Sequence, residues 1–181
     1  MSRQTNKLTT IKGCALWALD PETEQQLIAG AVPQADNITI TLPELTFGTT
    51  DVNILGTLTL PDFTRIDNFT VSANIAVDNP DSKPLKKVGL QAWKITYVVG
   101  CINQQTGEEE YTPYTVYCKG YIGSIPLSSV EQGGDGMADI SMNCTAIRKM
   151  KGNEVEFEID RLGGSIKLGD KDYSRDINSL Y

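Results

Sequence analysis

FTVSANIAVD, residues 69–78, decides the fold class. Phe69, Val71, Ala73, Ile75 and Val77 share one parity, and Thr70, Ser72, Asn74 and Asp78 share the other. Successive side chains of a pleated strand point to opposite faces, so this stretch is a strand with one apolar and one polar face. The same period continues in both directions. Upstream, Leu58 and Leu60 alternate with Thr57 and Thr59, and Ile38, Ile40 and Leu42 alternate with Thr39 and Thr41. After Pro43 the apolar parity flips to Leu45 and Phe47, which predicts a bend or bulge at the proline. Downstream, Trp93, Ile95, Tyr97, Val99 and Cys101 share a parity, and so do Tyr114, Val116, Cys118 and Ile122 beyond a turn-like segment, which reads as a hairpin. Ile140, Met142, Cys144 and Ala146, then Val155, Phe157 and Ile159 after Lys151-Gly152-Asn153, read as a second hairpin.

Helix signals are few. Asp81 to Val88 has a capping Asp81 or Ser82, a first-turn Pro84 and a stop at Gly89. Pro21 to Ala29 follows the cap-like Asp20-Pro21-Glu22. Glu131 to Met137 and Phe47 to Gly56 read as exposed connections. The expectation is one domain over residues 1–181, mainly β, a β-sandwich or small barrel with one or two short helices.

Composition excludes several classes of function. The net charge of −7 has the wrong sign for a protein that grips phosphates. Histidine is absent, which removes the usual base near neutral pH and the commonest metal ligand. The four cysteines, Cys14, Cys101, Cys118 and Cys144, have no C-x-x-C spacing and read as small core residues. No apolar run is long enough to span a bilayer. Met1 to Thr10 is polar and basic and reads as no secretory signal, so synthesis in the cytoplasm is expected, and the Asn-x-Ser/Thr matches at Asn37, Asn68 and Asn143 carry no meaning.

The candidate sites have bland alternatives. Glu154, Glu156, Glu158 and Asp160 alternate with Val155, Phe157 and Ile159, so four carboxylates share a strand face that meets solvent, a partner subunit or a channel. Asp170, Asp172 and Asp176 lack the glycine and distal glutamate of an EF-hand loop. Lys83, Lys86 and Lys87 read as a solvated basic face. No catalytic, cofactor or metal residue is assigned. Trp17, Trp93, Tyr114, Tyr117 and Tyr121 leave open a rival reading, a soluble β-sandwich that binds carbohydrate or protein.

The C-terminal stretch VEFEIDRLGGSIKLGDKDYSRDINSLY resembles the ending of contractile-phage major tail tube proteins. The matching elements are Glu158-Ile159-Asp160, Ser165 to Leu168, Gly169 with Asp170 to Asp172, and Arg175 to Leu180. Upstream, ITITLPELTFGTTDVNILGTLTLP resembles the family's segment of strand, Leu-Pro-x-Leu element, protruding loop and returning strand, with Leu42-Pro43-Glu44-Leu45 as the element. The resemblance implies two roughly orthogonal antiparallel sheets with a flanking helix, and homo-hexameric rings that stack into a tube in a virion tail or bacteriocin-like particle. It implies sheath outside, baseplate below, tape measure inside, and DNA passing without specific binding where the particle is a phage. It also places a hairpin loop at about 47–56 against the next ring. Phe47, Val52, Ile54 and Leu55 are more large apolar groups than a loop exposed on a monomer carries, which fits burial against a neighbour.

Overall fold

The computed structural model describes residues 7–23, 39–53, 55–76, 80–103, 106–125, 127, 132–133 and 136–173. The long hairpin of the sequence pattern is the frame. β6 (Gly89–Asn103) runs antiparallel to β7 (Glu109–Ile122), with Tyr97 opposite Tyr114, Ile95 opposite Val116 and Trp93 opposite Cys118. β1 (Lys7–Leu19) lies on the outer side of β6, and β8 (Met137–Lys151), β9 (Glu154–Asp160), β10 (Ser165–Leu168) and β11 (Lys171–Asp172) follow β7 in order. β5 (Phe69–Ala76) pairs with β8, and β2 (Ile40–Thr41) pairs with β5. These nine strands form one antiparallel sheet, and β3 (Phe47–Asn53) with β4 (Thr57–Ile66) forms a second. The path of strands does not close into a barrel, so the sandwich alternative holds and the small barrel does not.

The large sheet turns a corner at β8. The first half of β8 pairs with β5, from Met137 opposite Ala76 to Cys144 opposite Phe69, and the second half lies between β7 and β9. The register slips between Lys119 and Gly120, leaving Thr145 as the extra residue. A bulge of this kind bends a strand and lets it leave one layer for another. Thr145 is held on both sides: its hydroxyl donates to the Lys119 carbonyl at 3.2 Å, and its own carbonyl accepts the Arg161 N–H at 2.9 Å. Gly120 is required by the close approach, because a Cβ there would lie 2.1 Å from the Asn143 carbonyl oxygen.

The two limbs share one apolar core. Phe69, Val71, Ala73, Ile75, Ile140 and Met142 from one limb meet Leu16, Trp93, Ile95, Val116, Ile147 and Ile159 from the other. Leu42 and Leu45 leave the sheet at the predicted bend and pack on the core's margin. Of the expected helices, Asp81 to Val88 is a 3-10 helix, Pro80–Lys86, with Pro84 inside it and Leu85 fully buried. A segment this short, with one proline at its start and another inside it, suits the tighter helix. In the other, Asp20 accepts the N–H groups of Glu22 (2.8 Å) and Thr23 (3.0 Å), as a cap does, and the remainder of Pro21 to Ala29 lies outside the described residues. β1 was not anticipated from the sequence, nor was β3, which occupies most of the expected Phe47 to Gly56 connection.

Candidate functional site: an unpartnered hairpin and an acidic strand

β3 and β4 pair only with each other among the described residues. Val52 stands opposite Leu58 and Thr50 opposite Leu60, while Asp51 faces Thr59 and Asn53 faces Thr57 on the alternate positions. Period two therefore gives the ribbon an apolar face of Val52, Leu58 and Leu60 and a polar face bound by its own hydrogen bonds, Thr59 to Asp51 at 2.7 Å and Thr57 to Asn53 at 3.3 Å. At the tip, Leu55 adopts φ 54° and is fully exposed. A leucine in the left-handed region costs about 1–2 kcal/mol, and its side chain here gains no shelter from its own subunit.

The base of the ribbon is anchored. Phe47 meets Phe63 edge-on with ring centroids 5.2 Å apart, and Phe63 stacks on Tyr173 at 5.3 Å. Of the four residues assigned to the contact between rings, Val52 lies on the exposed apolar face, Leu55 is at the tip, Phe47 packs within the subunit, and Ile54 lies outside the described residues. Leu58 and Leu60, both exposed, complete the face that Val52 begins. The sequence pattern had shown them only as a strand.

The acidic strand is less uniform than its alternation predicts. The register of β8 against β9 shifts between Lys149 and Met150, which leaves Glu156 as the extra residue. Glu156 pairs with Lys149 at 2.7 Å, and the Lys149 ammonium lies 5.0 Å from the centre of the Tyr114 ring. Burial works against the Lys149 charge, yet the hydrogen bond to Glu156 and its field hold the ammonium above its ordinary range. Burial likewise pushes the Tyr97 hydroxyl up. Glu158 lies opposite Arg148 and 3.9 Å from Lys167, and Asp160 accepts the N–H groups of Leu162 (3.0 Å) and Gly163 (2.9 Å). Three of the four carboxylates are thus engaged within the subunit, and Glu154 is exposed.

The family described as phage tail tube protein FII matches this chain over residues 28–180. The chain belongs to that family. Among curated proteins none matches. A tail tube subunit has a structural role. Among the described residues no group of three or more Cys, Asp or Glu side chains is placed to hold a metal ion, and no helix is long and apolar enough to cross a membrane. Cys118 and Cys144 are neighbouring thiols that share one hydrogen bond, which raises Cys118 well above the usual thiol range and lowers Cys144. Nor do the five aromatic residues of the rival reading form one platform on the tube subunit. Trp93 is fully buried, Tyr114 is stacked on Tyr97 beside the core, and Tyr117 lies beneath Arg148 on the opposite sheet face.

Proposed function

We propose that this chain is the tube subunit of a contractile tail, closing into hexameric rings that stack into a hollow conduit. In a phage the conduit passes DNA at ejection, and in a bacteriocin-like particle it passes ions or effector protein. The subunit is non-catalytic and self-assembling, with sheath around it, baseplate beneath it and tape measure protein inside it. The observation that carries this reading is the β3–β4 ribbon, which pairs with no other strand among the described residues and leaves Leu58 and Leu60 of its apolar face exposed. Heterologous contacts between copies close a ring, and a projecting element can bridge to the next. A net charge of −7 suits a bore through which phosphates slide without sticking, with Glu154 as the carboxylate the acidic strand offers to a channel or neighbour.

Purified protein, given long incubation at high concentration, is expected to form rings and stacked tubes by negative-stain microscopy. Replacing Val52, Leu58 and Leu60 together by serine should leave a folded subunit by circular dichroism and abolish stacking. A strictly monomeric mass for the unaltered protein across salts and concentrations would defeat the reading, and unchanged tubes from the triple variant would place stacking elsewhere.

A further inference from the structure

A second exposed apolar surface lies far from the ribbon in sequence, where β6 begins and β7 ends. Leu90 and Tyr121 stand directly opposite each other, and Val88, Ile125 and Leu127 flank them in the adjoining chain. All five are exposed, Leu127 by 87% and Tyr121 by 51%. A cross-strand pair of large side chains is ordinarily a packed unit, so exposing this one together with three apolar neighbours calls for a partner.

The surface is built to stay in place. Leu85 fixes the 3-10 helix in the core, and the Gln91 side chain, itself buried, donates to the Lys87 carbonyl at 2.8 Å. These two ties fix the chain at Lys87, directly before Val88, with Lys83 and Lys86 on the helix that leads into it. A chain of net charge −7 repels its own copies, and three cations in the segment that leads into this surface offset that repulsion. The same chain also carries the ribbon, whose apolar face exposes Leu58 and Leu60. Two different faces on one chain, each needing burial, are what a head-to-tail contact between identical copies requires.

We infer that the Leu90–Tyr121 surface is the acceptor for the β3–β4 ribbon of a second copy of this chain in the next ring. This rests on the tube reading and adds to it the surface that receives the ribbon. Each stack then ends with unused ribbons on one side and unused acceptors on the other, which gives the tube a direction.

The test uses two variants of the full chain, an acceptor variant with Leu90→Ser, Tyr121→Ser and Leu127→Ser, and a ribbon variant with Val52→Ser, Leu58→Ser and Leu60→Ser. Each alone is expected to give single rings. When preformed rings of the two are mixed, one junction is still intact, so stacks of two rings and no longer are expected by microscopy and sedimentation. Should circular dichroism show the acceptor variant misfolded, Leu127→Ser alone carries the test, with at least about a tenfold rise in the concentration needed for stacking. Acceptor-variant tubes like those of the unaltered protein, Leu127→Ser stacking at the unaltered concentration, mixed rings that stay single, or a folded acceptor variant that forms no rings would each overturn the inference and leave the tube reading standing. Unaltered protein that never forms rings would defeat the tube reading itself.

Discussion

Leu55→Asn should move subunit stability and stacking in opposite directions. At φ 54° the leucine backbone costs about 1–2 kcal/mol, a penalty that asparagine largely avoids because its short polar side chain tolerates this region. The Leu55 side chain is fully exposed, so removing it forfeits no packing within the subunit. The isolated subunit should gain about 1 kcal/mol, a rise in melting temperature of about 2–4 °C for a chain of this size. Stacking should lose the burial of one leucine, about 1.5–3 kcal/mol per contact, or roughly ten- to 150-fold in affinity. Thermal unfolding followed by circular dichroism below the assembly concentration measures the first effect, because assembly itself raises the apparent melting point. Sedimentation across a concentration series measures the second. A lower melting temperature would mean that Leu55 is held by its own subunit, and unchanged stacking would mean that the tip touches nothing.

Gly120→Ala should destabilise the subunit by about 3 kcal/mol, since the new Cβ meets the backbone of Asn143 and Cys144, which cannot swing aside as a side chain would. Gly123→Ala, where nothing lies within 4 Å, is the matched control, and equal melting temperatures for the two would show that the corner has room. Stability should decline at alkaline pH. Tyr97 and Lys149 both have pKa values raised by folding, so what they contribute is complete below their ordinary values and is lost as pH rises beyond about 10. Glu156→Gln should flatten that decline, and a melting temperature level from pH 9 to 12 in the unaltered protein would contradict the assignment. Chelator should change neither melting temperature nor assembly, and a fall of several degrees reversed by one added metal would reveal a ligand set that the spacing of these residues does not suggest.

How much of this was legible in the sequence depended on whether a strand has one buried face. β5 and the β6–β7 hairpin do, and their alternation gave both the strands and the inward parity of Trp93, Ile95, Val116 and Cys118. β1 reads Cys14-Ala15-Leu16-Trp17-Ala18-Leu19, apolar at every position, so no period shows although Leu16 and Ala18 reach the core. β3 fails for the opposite reason: Gly48, Thr49, Thr50 and Asp51 are small or polar on both faces, and only pairing with β4 makes it a strand. Leu58 and Leu60 were visible as alternating residues, but their exposure depends on nothing packing over the ribbon, a property of tertiary structure. The acidic strand misled because a bulge at one residue breaks the parity that a regular period projects. The corner at Gly120 and Thr145 leaves no sequence pattern, since it depends on two backbones passing close together.

Because β8 belongs to both limbs of the sandwich, the order of synthesis governs when the subunit can close. Until Met137–Lys151 has been made, β5 has, among the described residues, only the short β2 beside it, and Val71, Ala73 and Ile75 lack the residues opposite them on β8. The β3–β4 ribbon pairs residues close in sequence and can form before that, but its base is finished only when Tyr173 follows to stack on Phe63. Contacts of long sequence separation form late and slowly, so the body of the subunit folds last and the strand pairing of its ribbon first. A growing chain therefore displays an apolar ribbon before its body is closed, and that interval lasts until β8 has been made and has turned the corner at Thr145.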